Sequence, residues 1–505
     1  MKFFYVLYLL MLFVLNIIVY DNFAEARDSV KNKNNEIAKK TKIENDSKIY
    51  EVKDVEEFLN KLNIKDSLLH KKESLKIFNE VATLTLENYV AELSLKQKSK
   101  FYKAAIDGME KYLVDFEKKF GKEKKSNLSY SIIIEEGIKS MVSSLDDHSI
   151  YFNKNEYKEF RNSINGEYVG IGIVLGVDEV NNGIKVMQVL EDSPAFEAGI
   201  MENDLIISID SVVIKDKDVS KTISFIKGKK NSNIVLKIKR GNEEKEFKVK
   251  RKKINFPVVQ SKVIDDKFAY IKINEFNNKL VPMFRENLEK IKGEQLKGVV
   301  IDLRNNPGGL LNQTLVILDM LLTKNKVLSI KGRKVDSEVI YFTGNNMEFL
   351  KNIPIVVLVN NLSASASEIF AAAISQNNRG IVMGYKTYGK GSVQTMYDVS
   401  DGSAVKLTVQ LYYTSDGTTI QNYGVVPEIE FFKKKKEAWD DIHDENRFIT
   451  EIGTLSKKKS KMVINSDKCE AVLNYSKKED KELGCAILYL KTLDLKKFEK
   501  NLKNE

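Results

Sequence analysis

Reactive side chains are scarce in this chain: its 505 residues include two cysteines, three histidines and one tryptophan. Cys469 and Cys485 both lie far in sequence from the small-residue turn on which the chemistry below centres, so a thiol nucleophile is set aside. In an exported chain the two could instead pair, closing a modest loop worth a few kcal/mol at most. His70, His148 and His443 are also remote from that turn in sequence, although a fold could bring one close. Dense basic runs are lacking too. The formal charge is +10, but the runs at 250–253, 433–436 and 457–459 are short and read as solvated faces or linker ends, so nucleic acid is not an expected partner.

The stretch that is rich in signals runs from Ile353 to Gln394. Ile355 to Val359 form a continuous apolar run, which reads as a strand buried on both faces, and Asn360 and Asn361 end it. Ser363, Ala364, Ser365 and Ala366 follow with little bulk, and Glu368 to Ile374 continue as an alanine-rich helix. A serine at that junction sits where unpaired backbone N–H groups and the positive end of a helix dipole gather. Such a junction suits a nucleophile whose intermediate is an oxyanion.

Gly384, Gly389 and Lys390 imitate a phosphate-cradling loop, but the hydroxyl that magnesium needs is missing, because residue 391 is Gly391. The residues after it alternate like strands, whereas a nucleotide-binding loop opens a helix. Lys390 therefore needs another role. A lysine whose pKa is lowered by burial can act as a general base, and Ser-Lys pairs are a recognised form of nucleophilic catalysis. Glycines on both sides would let that backbone approach another segment closely. Spacing alone favours a small-residue turn beside a solvated lysine.

SASASE at 363–368, YGKGSVQ at 388–394, DLRNNPGG at 302–309 and LDDHSIYF at 145–152 together resemble the carboxyl-terminal processing proteases, the tail-specific serine peptidases. The four motifs occur in that family's order, and the resemblance covers about residues 76–430. It implies that Ser365 is the nucleophile, that Lys390, twenty-five positions later, is its base, and that Gln394 is the third member. It also implies an oxyanion hole from the N–H of Ala366 with Gly308 or Gly309. Tyr388 stands where the family more often has phenylalanine, and Asp147 where it has proline. His148 in that motif is read as structural.

The remaining chain is divided as follows. Residues 1–26 read as an export signal, with an apolar run from Phe3 to Tyr20 and an A-x-A signature at Ala24 to Ala26. That run also leaves an uncleaved membrane anchor open. Residues 27–75 read as a charged linker, and 76–158 as a helical region in which FEKKFGKEKKSN looks inserted. Residues 159–252 resemble a PDZ domain, whose loop Tyr168, Val169, Gly170, Ile171, Gly172 and Ile173 would pair with a peptide tail and hold its carboxylate. Lys227 and Gly228 stand where the family has an Arg-Gly pair that supports the active arrangement, a regulatory position. Residues 253–430 alternate strands and helices, and 431–505 form a Lys-rich, partly helical end.

The expected fold is α+β and multidomain: a helical N-terminal region, a PDZ β domain, and an α/β catalytic core related to the crotonase and Clp protease type. The expected activity is that of an exported serine endopeptidase, periplasmic or on the outer face of the cytoplasmic membrane, acting on proteins with free C-termini without metal or cofactor. An adaptor or a homo-oligomer stays open. A PDZ scaffold with an inactive core and a crotonase-type acyl-CoA enzyme are the alternatives.

Overall fold

The computed structural model describes residues 48–504 apart from 167, 179–182, 215–218, 255–256, 292–294, 334–337, 345–349, 351, 433–458 and 476–477. The export signal and the basic run at 433–436 lie outside the described residues. Among those described, no helix is long and apolar enough to cross a membrane.

Four helices open the structure: α1 (Val52–Asn60), α2 (Leu68–Asn88), α3 (Leu95–Phe120) and α4 (Tyr130–Ser143). Helix α1 and the start of α2 correct the linker reading of 27–75 over residues 52–75; residues 27–47 lie outside the described residues. Glu51 and Asp54 cap each other across the first turn of α1, and Val55 and Leu59, four apart, are fully buried in the helical core. Their charged neighbours disguise that stripe in the sequence. The apparent insertion is the end of α3, which Gly121 stops at φ +88, followed by a short 3-10 turn at Lys122–Asn127. Strand β1 (Ile150–Phe152) and helix α5 (Lys154–Ile164) then lead away, the helix started by Asn153 and Glu156 in a capping box.

The second unit contains β2 (Tyr168–Gly170), β3 (Ile173–Asp178), β4 (Gly183–Val189), α6 (Pro194–Glu197), β5 (Leu205–Ile209), β6 (Val212–Val213), α7 (Val219–Ile226), β7 (Asn233–Arg240), β8 (Glu243–Lys250) and β9 (Lys252–Ile254). Its main sheet runs β3-β4-β5-β7-β8 over a core of its own that includes Ile184, Val186, Ile206 and Leu236. Asn203 adopts φ +70 in the turn before β5, a conformation asparagine tolerates.

The third unit contains β10 (Val259–Ile264), β11 (Phe268–Ile273), α8 (Leu280–Ile291), β12 (Gly298–Asp302), α9 (Leu311–Leu321), β13 (Lys326–Gly332), β14 (Val339–Phe342), β15 (Ile355–Val359), α10 (Ala366–Gln376), β16 (Gly380–Gly384), β17 (Ser392–Asp398), β18 (Ala404–Thr414), β19 (Ile429–Phe431) and β20 (Met462–Ile464). Seven of these strands form one sheet in the order β10-β11-β12-β15-β16-β19-β20, parallel except for β10. Val299, Ile301, Val357 and Val359 face one core with α8, α9 and α10, while Val300, Val356 and Leu358 face a second core. A central parallel strand buried on both sides therefore reads as an unbroken apolar run.

The second core is covered by the C-terminal segment. Helices α11 (Lys481–Thr492) and α12 (Leu495–Asn504) pack there, and Cys469 is disulfide-bonded to Cys485. Strand β20 extends the sheet itself, so part of the region beyond 430 belongs to the core. A second sheet runs β1-β18-β13-β14, with β17 also on β18. One face carries Leu328, Ile330 and Tyr412 into the core that holds α10; the other carries Val405 and Leu407 into the helical region. The LDDHS turn is thereby fastened to the third unit through β1.

Candidate active site

Ser365 precedes α10 with φ +54 and ψ −113, a backbone conformation that L-residues other than glycine rarely adopt. The turn is held from both sides. The Ala364 N–H donates to Asn306 O at 3.0 Å, the Ser367 hydroxyl donates to the same oxygen at 2.9 Å, and the Ser365 N–H donates to Glu368 Oε2 at 2.8 Å. Strain in such a turn is sustained only by this kind of surrounding network.

Glu368 ties that turn to the lysine loop. Its Oε2 also accepts the Lys390 N–H at 2.9 Å, and its Oε1 accepts the Gly389 N–H at 2.7 Å and the Thr387 hydroxyl at 2.5 Å. Burial pushes the carboxyl up to about 7, against the pull of these four donors, which favour the ionised form. The Tyr412 hydroxyl repeats the link from the other side, donating to Lys390 O at 2.7 Å and lying 3.3 Å from Ser365 O. Lys390 is buried, with 8% of the residue exposed. Gly389, at φ +98, lies so near the 422–424 turn that a Cβ would come within 3.0 Å of its backbone.

The opposite wall is the turn after β12. Gly308 adopts φ +97, and a Cβ on it would lie 2.6 Å from Ala364 O and 2.8 Å from Ala366 N. Only glycine lets the two turns come this close. The Gly308 N–H is taken by Asn306 Oδ1 at 2.9 Å, while Gly309 turns back along Phe276. Behind this turn, Asp302 accepts from Tyr270, Lys272 and Arg304, and Arg304 reaches on to Asp480 and Glu482 beside α11. Burial alone would push Asp302 up; Arg304 and then Lys272 outweigh it and hold the carboxyl well below its ordinary range.

Gln394 faces a third group of residues. Its Nε2 donates to Ser392 Oγ at 2.9 Å and to Thr408 Oγ1 at 3.2 Å; Thr408 Oγ1 in turn donates to Asp146 Oδ1 at 3.1 Å. Asp146 organises the LDDHS turn by accepting from the His148 and Ser149 N–H groups at 2.7 and 2.8 Å. His148 is buried there.

The Peptidase family S41 model matches residues 267–431, and the PDZ domain model matches 169–250. A carboxy-terminal-processing protease of Bartonella bacilliformis is 37% identical over 303 residues, which are 59% of this chain and 69% of that protein. The chain belongs to peptidase family S41. A probable CtpA-like serine protease of Staphylococcus aureus is 35% identical over 312 residues, 62% of each chain. A photosystem II D1 C-terminal processing protease aligns in structure over 70% of this chain and 92% of its own, with 23% identity and a TM-score of 0.47.

As a member of family S41 the chain is a serine-type peptidase with a PDZ domain, and the acyl-CoA alternative falls away. Of the residues singled out in the sequence, Ser365, Ala366, Lys390, Gly308 and Gly309 converge on the junction of three turns, and Gln394 lies on β17, the strand that follows the lysine loop. The six residues from Tyr168 to Ile173 belong to the PDZ domain. Tyr168 to Gly170 are a strand paired with Lys252 to Ile254, so one edge of that segment is already used; Ile171 O accepts the Ala195 N–H at 2.8 Å. Lys227 follows α7, where burial lowers its amine and Glu159 of α5 pulls it back. Sequence reasoning missed Glu368, Thr387, Tyr412 and Asp146. The S-x-x-E spacing of Ser365 and Glu368 is the signature of a capping pair and was the available signal for the first. Among the described residues, no cluster of three or more His, Cys, Asp or Glu could hold a metal ion.

Proposed function

We propose that this chain is an exported serine endopeptidase that cleaves or trims proteins near their C-termini, with Ser365 as nucleophile, Lys390 as general base and the PDZ domain holding the substrate tail. The observation that carries the reading is the shared acceptor: one oxygen of Glu368 takes the N–H of both Ser365 and Lys390, so two residues far apart in sequence are registered to each other. The names of the two relatives support the reaction class.

In this mechanism the neutral Lys390 amine takes the proton from Ser365 Oγ as that oxygen attacks the scissile carbonyl carbon. The oxyanion forms against the N–H groups of Ala366 and Gly309, since the Gly308 N–H is engaged inside its own turn. Collapse breaks the C–N bond and the lysine proton passes to the departing amine. Water then repeats the sequence to release the acyl group. Gln394, whose amide donates and accepts, orients the lysine side of the site without titrating.

Incubation of the full chain with an unfolded protein ending in apolar residues should give shortened products, and Ser365→Ala should give none. Lys390→Ala and Lys390→Arg should both abolish turnover, because arginine stays charged. Full activity in Lys390→Ala overturns the dyad. For the tail, amidating the substrate's C-terminus should slow cleavage at low substrate concentration, and Lys227→Ala should lower turnover even at saturation. Equal rates on amidated and free-acid substrates would end the role given to the 168–173 segment. Export rests on residues 1–26; a secreted reporter fused behind them tests it.

A further inference from the structure

The C-terminal segment, read from sequence only as a Lys-rich end, reaches the catalytic turn. Strands β21 (Val472–Leu473) and β22 (Glu479–Asp480) pair antiparallel, and Asp480 then starts α11 by accepting the Leu483 N–H at 2.9 Å. The disulfide between Cys469 and Cys485 closes the chain around this pair of strands, so Asp480 and Glu482 sit inside a covalent loop. Helix α11 spans β12. Toward the helix C-terminus, Leu490 packs so closely on Gly298, the first residue of the strand, that a Cβ there would lie 2.8 Å from both leucine methyls. At the other end, Asp480 takes Arg304 Nη1 at 3.1 Å and Nη2 at 2.7 Å, and Glu482 takes Nη1 at 2.8 Å. The Arg304 and Asp480 side chains are only 12% and 10% exposed, so water screens their pairing little. A two-pronged carboxylate fixes the plane of a guanidinium as well as its place.

Arg304 opens the turn that faces Ser365. Its N–H and Nε both return to Asp302 Oδ1, at 2.9 and 3.1 Å, and its carbonyl oxygen accepts from Lys272 Nζ, so side chain and backbone are held as one body. Two residues on, Asn306 O receives the Ala364 N–H and the Ser367 hydroxyl; four on, Gly308 lies against Ala364 and Ala366. The turn carries three residues at positive φ, Asn305, Gly308 and Gly309, a shape that its surroundings must sustain. On the side of β11 it is tied by Asn306 Nδ2 to Ile273 O and by the Phe276 N–H to Gly308 O, both 2.9 Å. The Arg304 side chain ties it to α11.

We propose that Asp480 is a positioning residue for the oxyanion hole: acting through Arg304, from a disulfide-closed loop beyond residue 430, it sets the 304–309 turn against the serine turn. This rests on the reading of Ser365 as nucleophile and of Ala366 and Gly309 as the donors. Such donors act only within hydrogen-bond distance of the place where charge develops, and a misplacement of about 1 Å costs on the order of a hundredfold in rate. Asp480 is the stronger of the two outer carboxylates, with two bonds to Arg304 against one from Glu482.

The test uses the full chain with a peptide substrate, the matching peptide aldehyde and the matching peptide alcohol. Ser365 Oγ adds to the aldehyde carbon and leaves the former carbonyl oxygen in the hole, whereas the alcohol forms no adduct. Asp480→Asn keeps an oxygen for the Leu483 N–H but loses the charge and one bond to Arg304. It should lower kcat about tenfold, change KM by less than about twofold, and weaken the aldehyde by the same factor as kcat while the alcohol binds as before. Arg304→Lys keeps a cation beside Asp302 without the planar fork that holds Asp480, and should show the same split. The two together should lose little more than either alone. The proposal is overturned if kcat is unchanged in both variants, if the loss lies in KM or extends equally to the alcohol, or if the two losses multiply. Failure of the underlying reading shows elsewhere, as cleavage retained in Ser365→Ala.

Discussion

Asp302, the last residue of β12, and Glu368, in the first turn of α10, are both sealed from solvent, yet they are accommodated in opposite ways. Asp302 is given cations: Lys272 and Arg304 lie against it, and Arg304 is shared with Asp480 and Glu482. Glu368 is given only neutral donors, three backbone N–H groups and a hydroxyl. A carboxylate with paired charge stays ionised and locks two segments together; one with neutral donors orders the backbone around it but remains able to titrate near neutrality. The first solution joins the site's rear wall to the C-terminal segment. The second joins the serine turn to the lysine loop.

The sharpest way to break this contrast is to remove the cation from the first cluster. Arg304→Met leaves the buried Asp302 with Lys272 as its one cation and the half-buried Asp480 and Glu482 without theirs, and should cost roughly 3 kcal/mol of stability, read by denaturant unfolding of the full chain. If the variant unfolds at the wild-type midpoint, Arg304 is not holding the rear wall. Glu368→Gln comes next. Its NH2 group would have to face N–H donors, so two hydrogen bonds are lost. We expect about 2–3 kcal/mol of destabilisation and a fall of about a hundredfold or more in kcat/KM, since both turns relax. Wild-type kcat/KM in that variant would make the clamp irrelevant to catalysis.

The two carboxyls also predict opposite slopes of stability with pH. Glu368 holds its proton more tightly folded than unfolded, so between about pH 4.5 and 7 the folded chain binds the extra proton and its contribution declines as pH rises, by roughly 3 kcal/mol in all. Asp302 is the reverse: its contribution is complete above an unfolded pKa of about 3.9 and is lost as pH falls toward its lowered folded value. Unfolding free energies of wild type and Glu368→Gln across pH 4.5 to 8 should therefore converge with rising pH. Parallel curves would mean that Glu368 does not titrate in that window. The smallest effect belongs to Glu482→Gln. Burial raises that carboxyl even beside Arg304, so neutralising it should change stability by about 1 kcal/mol or less; a larger loss would make Glu482 an equal partner of Asp480.

Much of the architecture was legible because the relevant physics is local. Ile355 to Val359 had to be a strand buried on both sides, and β15 has those bounds. The turn around Ser365 was marked by its loss of side-chain bulk. The amphipathic pair Val55 and Leu59 was hidden among charges, which is why α1 was taken for linker. The regions that stayed illegible were those whose meaning depends on distant partners. Glu368 reads as a helix-capping residue until the lysine loop folds over it. The segment beyond 430 shows one helix by pattern, but its role as the cover of the sheet's second face appears only once Arg304 is seen reaching Asp480.

The resemblance of four ordered motifs pointed to the family, and the sequence by itself determined the core strands and the presence of a serine at a strand-to-helix junction, because hydrophobic period and turn chemistry act over a few residues. The tertiary structure alone decided which charged groups were paired and which were sealed from solvent among neutral donors. Desolvation and Coulomb interaction depend on what surrounds a side chain in space, and the surroundings of Glu368 and Lys390 come from loops and strands that the chain brings together only on folding.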